Sequence, residues 1–325
     1  MIELDKKIFV AGHKGMVGSA IVRRLKKLGA SQIVTAGRAQ LDLTNQQSVK
    51  LFFREHQFKF VYNAAAKVGG IVGNAKYPAD FVLENLAIQN NIAVACLETN
   101  VDRYVLLGSC CIYPRLCEQP MREEYLLTGE LEPTNRSYAV AKIAGIVSAQ
   151  ALHEQYGLKS VCPMPINLFG QGDNWDPDNS HIIPGLMRRF HFAKIAGEKE
   201  SVVWGSGKVR REYMHVDDCA EAIVFLTDKF DSGEMVNVAP GTELTTRETA
   251  EIIADLVGYQ GRLVQDTSKP DGTARKLADA SKISSLGWRP KLDFREALQD
   301  TYEKFQWAIE NNQLDRGNAS CFQNH

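Results

Sequence analysis

Residues 9–20 read FVAGHKGMVGSA. A β-branched and aromatic run, KIFVAG at 7–12, gives way to Gly12, His13, Lys14, Gly15, Met16, Val17 and Gly18, and a helical pattern then runs over about 16–28. Strand, glycine turn and helix in that order predict a parallel unit whose turn holds a pyrophosphate. The glycines permit the tight turn, the close approach of the ligand and close helix-sheet packing, and N–H groups at the helix start attract phosphate. G-x-x-G-x-x-G spacing alone is weak; its place between a strand and a helix makes it a dinucleotide reading.

The same alternation continues outward. QIVTAG at 32–37 reads as a second strand, 46–56 as a helix and FVYNAAA at 60–66 as a third strand. A long helix follows over about 80–99, then the strand RYVLLGS at 103–109, a helix near 137–156 and the strand SVCPMPINL at 160–168. Near-continuous apolar strands alternating with helices predict a doubly wound parallel α/β sheet of the Rossmann type, covered on both faces. After Phe169 the texture turns to GQGDNWDPDNSHIIP, rich in Gly, Asp and Asn, which marks a second region. MVNVAP at 235–240 reads as one more strand of the first sheet. The expected division is a dinucleotide-binding domain over 1–168 plus about 212–241, a smaller α/β substrate domain over about 169–211 plus 242–315, and a tail at 316–325.

The chain has 325 residues, 44% of them apolar, enough for a sizeable core. Thirty-eight Lys and Arg stand against 39 Asp and Glu, so no global field points to nucleic acid or a membrane, and a small molecule is the expected partner. The seven cysteines form no C-x-x-C, which argues against a disulfide framework and against a zinc site. The charged start MIELDKK and the want of a long apolar run predict a cytoplasmic protein.

Two sites of chemistry stand out. At the end of the second strand Ala36, Gly37 and Arg38 occupy the place where an NAD site keeps an acid for the ribose hydroxyls. Arg38, helped by Lys14, suits a 2′-phosphate instead, so the expected cofactor is NADP(H). The small Ala64 and Ala65 leave room beside the adenosine. Further on, Tyr138 and Lys142 fall at i and i+4, one face of a helix, with Ser109 at the end of the preceding strand. A lysine that close is expected to favour the phenolate and make the tyrosine a better proton donor and acceptor.

Those residues, with AAAKVGGI at 64–71, GSCCIYP at 108–114, LEPTNRSYAVAKIAGI at 131–146, DNSHIIP at 178–184, RRFH at 188–191, VVWGSG at 202–207, REYMHVDD at 211–218 and KPDGTARK at 269–276, resemble the extended short-chain dehydrogenase/reductases that act on nucleotide sugars. The resemblance covers essentially the whole chain. It implies an NADPH-dependent 3,5-epimerase and 4-reductase acting on GDP-4-keto-6-deoxy-D-mannose. Ser109, Tyr138 and Lys142 would be the reductase triad, Cys111 the base and His181 the acid of epimerisation. The cofactor set would add Leu41, Leu107, Gly108, Pro165, Asn167, Leu168 and His181 to the glycine loop. Arg189, Trp204, Arg211, Asp271 and Lys276 would hold the GDP-sugar, with the arginines and Lys276 near the diphosphate. A homodimer through the helices near 80–99 and 137–156 would follow as well. Cys110 stands where a serine is usual and reads as core.

Other readings are a different sugar-nucleotide epimerase or reductase of the same family and, from another class, an NADP-binding regulator without turnover. Dehydratases of the family carry Asp-Glu after the strand-end hydroxyl, where this chain has Cys110 and Cys111. A 4-epimerase needs neither Cys111 nor His181. Regulators of the second kind commonly lose the tyrosine or the lysine, and both are present.

Overall fold

A computed structural model describes residues 3–177, 180–268 and 271–314. The expected tail and Cys321 lie outside the described residues, as do Asp178, Asn179, Lys269 and Pro270 of the quoted motifs.

The first half is built as β1 (Lys7–Ala11), α1 (Met16–Lys27), β2 (Gln32–Val34), α2 (Gln46–His56), β3 (Phe60–Asn63), α3 (Ile71–Lys76), α4 (Pro78–Glu98), β4 (Arg103–Leu106), α5 (Arg136–Tyr156) and β5 (Ser160–Pro165). With β9 (Ser232–Val238) these strands form one parallel sheet in the order β2-β1-β3-β4-β5-β9. This is the doubly wound Rossmann-type α/β architecture that the alternation predicts. Strand order reverses at β1, because β2 lies on one side of it and β3 on the other. Such a reversal opens a crevice at the carboxyl ends of the two inner strands, and the glycine loop and Ala64 both sit there.

The strands are buried because helices cover both faces. Ile8, Phe9, Val10, Val61, Val105 and Val161 are at most 1% exposed, and they share one core with α1, α2, α4 and α5. β2 is shorter than QIVTAG suggests: it ends at Val34, so Arg38 stands in a loop rather than at a strand end. SVCPMPINL is not one strand either. It breaks at Ile166, and β6 (Asn167–Phe169) pairs with β8 (Arg210–His215) in another sheet.

The second region begins with β6 and α6 (Ile182–Ala196). It continues through β7 (Glu200–Trp204) and β8, and α7 (Val216–Leu226) and β9 then return to the first sheet. The chain closes with β10 (Glu243–Thr245), α8 (Thr246–Val257), β11 (Arg262–Asp266), β12 (Arg275–Lys276), α9 (Ser281–Ser285) and α10 (Phe294–Glu310). Phe169, Met187, Phe190, Ile253 and Phe305 form its separate core. The segment around Ala278, Ile283 and Trp288 packs on the first core instead, so the chain crosses between regions more often than a simple division allows. Among the described residues no helix is long and apolar enough to cross a membrane.

Candidate active site

The glycine turn is shaped by close backbone approaches. Gly12 has φ +79°, and a Cβ there would lie 2.7 Å from the Ala64 carbonyl carbon; a Cβ on Gly18 would lie 2.2 Å from the Gly12 oxygen. No larger residue fits either position without moving the main chain. Gly15 at the start of α1 supplies no side-chain cap, as is also true of α3, α4, α5, α6 and α9; what sets α1 apart is that its start opens onto the glycine cradle. The first N–H groups of α1, from Met16, Val17 and Gly18, are therefore left to an anionic ligand. His13 Nδ1 is buried there without a hydrogen-bond partner. The Lys14 Nζ lies 3.2 Å from where a Gly37 Cβ would be, beside Arg38, whose guanidinium is exposed and 3.8 Å from Glu84. A cradle that any Cβ would fill, an uncapped helix start and two cations beside it fit a dinucleotide with a 2′-phosphate. Leu41 is buried just beyond.

The reactive groups meet at the carboxyl end of β4. Leu107 and Gly108 continue that strand, and a Cβ on Gly108 would strike the Met164 side chain at 2.1 Å. Ser109 then opens a single 3-10 turn, Cys110–Ile112, in which the Ser109 Oγ accepts from the Cys111 N–H at 3.3 Å. The two cysteines thus occupy a turn rather than a strand, but they still diverge. Cys110 is buried and donates to the Met164 carbonyl at 3.3 Å, while Cys111 is half-buried. Burial raises the Cys110 pKa well above that of an ordinary thiol, as expected of core.

Tyr138 reaches the same place from the first turn of α5, close enough to the Ser109 hydroxyl to feel it electrostatically. Its pKa is raised, first by burial and then by the nearby Cys111, against a lowering from Ser109. The Lys142 Nζ lies 5.8 Å from the Tyr138 ring centroid and donates to the Leu107 carbonyl at 2.7 Å. Burial lowers the Lys142 pKa to about 8. Tyr138 therefore stays a neutral phenol at pH 7, the form that donates a proton.

Pro165 ends β5, Asn167 and Leu168 follow in β6, and the Asn167 Nδ2 donates to the Glu212 carbonyl at 3.0 Å. His181 is the N-cap of α6. The residue is exposed, yet desolvation lowers the pKa of its imidazole. Arg189 lies on the same helix eight residues on, roughly 12 Å along its axis.

Arg189, Trp204, Arg211 and Asp271 form one group. The Arg189 guanidinium stands 5.2 Å from the centroid of the Trp204 ring. Asp271 accepts from the Ser206 N–H at 2.7 Å, two residues past Trp204, and a Cβ on the adjoining Gly272 would lie 3.7 Å from an Arg211 nitrogen. Desolvation lowers the pKa of both arginines, and Asp271 opposes that lowering at Arg211. Lys276 pairs in register with Arg211 across β12 and β8, and it also lines a crevice with Cys110, Cys111, Arg115, Glu132 and Thr273. The sequence reading missed Arg115 and Glu132, which pair at 3.4 Å, because nothing in their spacing sets them apart from surface charges. A broader depression between α8 and α10, lined by Asp255, Arg295, Asp300 and Glu303, holds none of these groups.

Residues 8–239 match the model of the NAD dependent epimerase/dehydratase family. A putative GDP-L-fucose synthase 2 of Arabidopsis thaliana is 51% identical, over 96% of this chain and 94% of its own length. The GDP-L-fucose synthase of Escherichia coli K12 is 46% identical, over 96% of this chain and 99% of its own. A GDP-L-fucose synthetase from Naegleria fowleri, solved bound to NADP, superposes with a TM-score of 0.87 at 27% identity, covering 96% of this chain and 98% of that one.

Proposed function

The chain belongs to the NAD dependent epimerase/dehydratase family, and on that premise we propose that it is an NADPH-dependent GDP-L-fucose synthase, which epimerises C3 and C5 of GDP-4-keto-6-deoxy-D-mannose and reduces C4. The observation that carries the reading is Cys111 beside the Ser109-Tyr138 pair, where a dehydratase would keep acids.

The ketone at C4 acidifies the hydrogens on C3 and C5. Cys111 takes one of them, and the resulting enolate oxygen is held by the Ser109 and Tyr138 hydroxyls. Inversion requires the proton to return on the opposite face, and His181 is the donor. Its lowered pKa makes the imidazolium a stronger acid. After both centres have inverted, Tyr138 gives its proton to O4 and Ser109 shares that oxygen. NADPH, when bound, supplies the hydride that reaches C4. Met16, Val17, Gly18, Lys14 and Arg38 would hold its phosphates, and Lys142 its nicotinamide ribose. Arg189 and Arg211 pair with the diphosphate while Trp204 packs against the nucleotide. Lys276, next to Arg211 in the sheet and in one crevice with Cys111, bridges the diphosphate and the sugar end.

Leu83 on α4 and Val140 and Val147 on α5 are exposed apolar residues on two helices that pack together, and a second copy of the chain covers them in a homodimer. The six described cysteines are all free thiols, in keeping with the reducing cytoplasm where the enzyme works.

The test is to mix the protein with NADPH and GDP-4-keto-6-deoxy-D-mannose and follow the absorbance of NADPH and the identity of the sugar. GDP-L-fucose with one NADPH consumed per sugar is expected. A 4-epimerase would leave NADPH untouched, and a regulator would leave both unchanged.

A further inference from the structure

Asn237, near the end of β9, is fully buried, and its side-chain amide is completely used. Nδ2 donates to the Met121 carbonyl at 2.9 Å and to the Asp279 carbonyl at 3.2 Å. Oδ1 accepts from the Tyr113 hydroxyl at 2.6 Å and, as the longer branch of the one thiol hydrogen shared with the Met164 carbonyl, from the Cys110 Sγ at 3.9 Å. The Asn237 N–H adds a bond to Glu123 at 2.8 Å. One amide thus joins the end of β9, the strap at 121–123, the segment at 275–279 and the turn at 110–113.

Two of its partners flank Cys111 in the chain, Cys110 just before it and Tyr113 two residues after. Ile112 between them is fully buried. Cys111 is the residue of the turn whose side chain is not locked into the core, so the place of its sulfur is inherited from its neighbours. Those neighbours are held by Asn237, by Met164 and by the Ser109 cap. The groups proposed for hydride transfer have other anchors: Tyr138 and Lys142 belong to α5, and Lys142 is tied to Leu107.

We propose that Asn237 and Tyr113 are positioning residues for Cys111, acting through the turn to set where the thiol stands and so governing epimerisation more than reduction. The inference rests on the GDP-L-fucose synthase reading. A bond lost at Asn237 leaves the turn free to shift, and a displacement of the order of 1 Å at a reacting group can cost about 10²-fold in rate.

Tyr113→Phe keeps the buried ring and removes only the donor. Asn237→Asp keeps the shape and turns a carboxylate oxygen toward two carbonyls. Each variant is given GDP-4-keto-6-deoxy-D-mannose and NADPH, and the ratio of unepimerised 6-deoxy sugar to GDP-L-fucose is measured. A folding defect alone lowers total product without changing that ratio. The expected result is a ratio raised about tenfold or more in both variants, matched by a several-fold change in the rate at which iodoacetamide alkylates Cys111 in the substrate-free protein. A wild-type ratio in Tyr113→Phe, with Cys111 alkylated at the wild-type rate, overturns the proposal. Should the unmodified protein make neither sugar, the functional reading falls, and the alkylation rates still decide whether Asn237 and Tyr113 place the thiol.

Discussion

Lys142 donates its ammonium to the main-chain carbonyl of Leu107, tying the second turn of α5 to the end of β4. The bond sets the distance between the helix that carries Tyr138 and the strand end that carries Ser109. It also buries a charge, which accounts for a pKa lowered to about 8 against 10.5 for an ordinary lysine.

That shift has two opposite consequences. Reduction that needs the ammonium should lose kcat/KM as pH rises through about 8, measurable as initial rates of NADPH oxidation. Stability should move the other way. Between about 8 and 10.5 the unfolded chain holds a proton that the folded lysine has released, so this group's contribution to stability rises with pH across that window. Lys142→Met should remove that slope from the stability curve. A rate that holds level to pH 9.5 would mean the charge is not needed.

Tyr138→Phe keeps the ring on α5 and removes the proton donor beside Ser109. Reduction should fall by roughly 10²-fold or more with NADPH affinity unchanged, as read by stopped-flow rates and a fluorescence titration. Near-normal turnover would assign the proton to another group.

Arg38 is exposed and lies next to Gly37, where Lys14 also reaches. NADPH should bind at least tenfold more tightly than NADH, for a charged hydrogen bond worth about 1.5–3 kcal/mol, and Arg38→Ala should erase most of the difference. Equal titrations of the two cofactors in the unmodified protein would remove the 2′-phosphate from this corner.

Arg189→Ala and Arg211→Ala should raise KM for the GDP-sugar and leave NADPH affinity alone, since both arginines belong to the group around Trp204 and Asp271 and not to the glycine loop. Some loss of kcat is compatible, because binding at a remote diphosphate also positions the sugar. An unchanged KM in both variants would move the nucleotide elsewhere.

Much of the fold was legible because parallel strands buried on both faces leave a plain record. KIFVAG, FVYNAAA and RYVLLGS are near-continuous apolar runs, and the glycine turn between β1 and α1 needs its residues for backbone contact alone. SVCPMPINL misled because it reads as one apolar run, while the chain leaves one sheet for another after Pro165 and Asn167 of the new strand is exposed. The partner of Lys142 was not legible, since i and i+4 spacing puts it on the same face as Tyr138 but says nothing of the Leu107 carbonyl opposite. Lys276 was placed near the diphosphate by resemblance, and β12 does set it beside Arg211 of β8; that it also shares a crevice with the cysteines was not legible, because the crevice joins distant segments. Asn237 looked like one more residue of a strand, because its four side-chain partners come from three distant segments.

On the proposed function one cleft performs two chemistries, with Cys111 serving proton transfer at carbon and Tyr138 serving the ketone oxygen. The most direct measurement runs the reaction in deuterium oxide with the unmodified enzyme and with Cys111→Ser, which exchanges the thiol for a far weaker acid of nearly the same shape. The unmodified enzyme should deliver GDP-L-fucose with deuterium at C3 and C5. Cys111→Ser should lose nearly all of that label and slowly reduce the unepimerised ketone to a 6-deoxy sugar other than fucose. GDP-L-fucose from Cys111→Ser at the normal rate, with full deuterium at both carbons, would contradict the account and return Cys111 to the turn as packing.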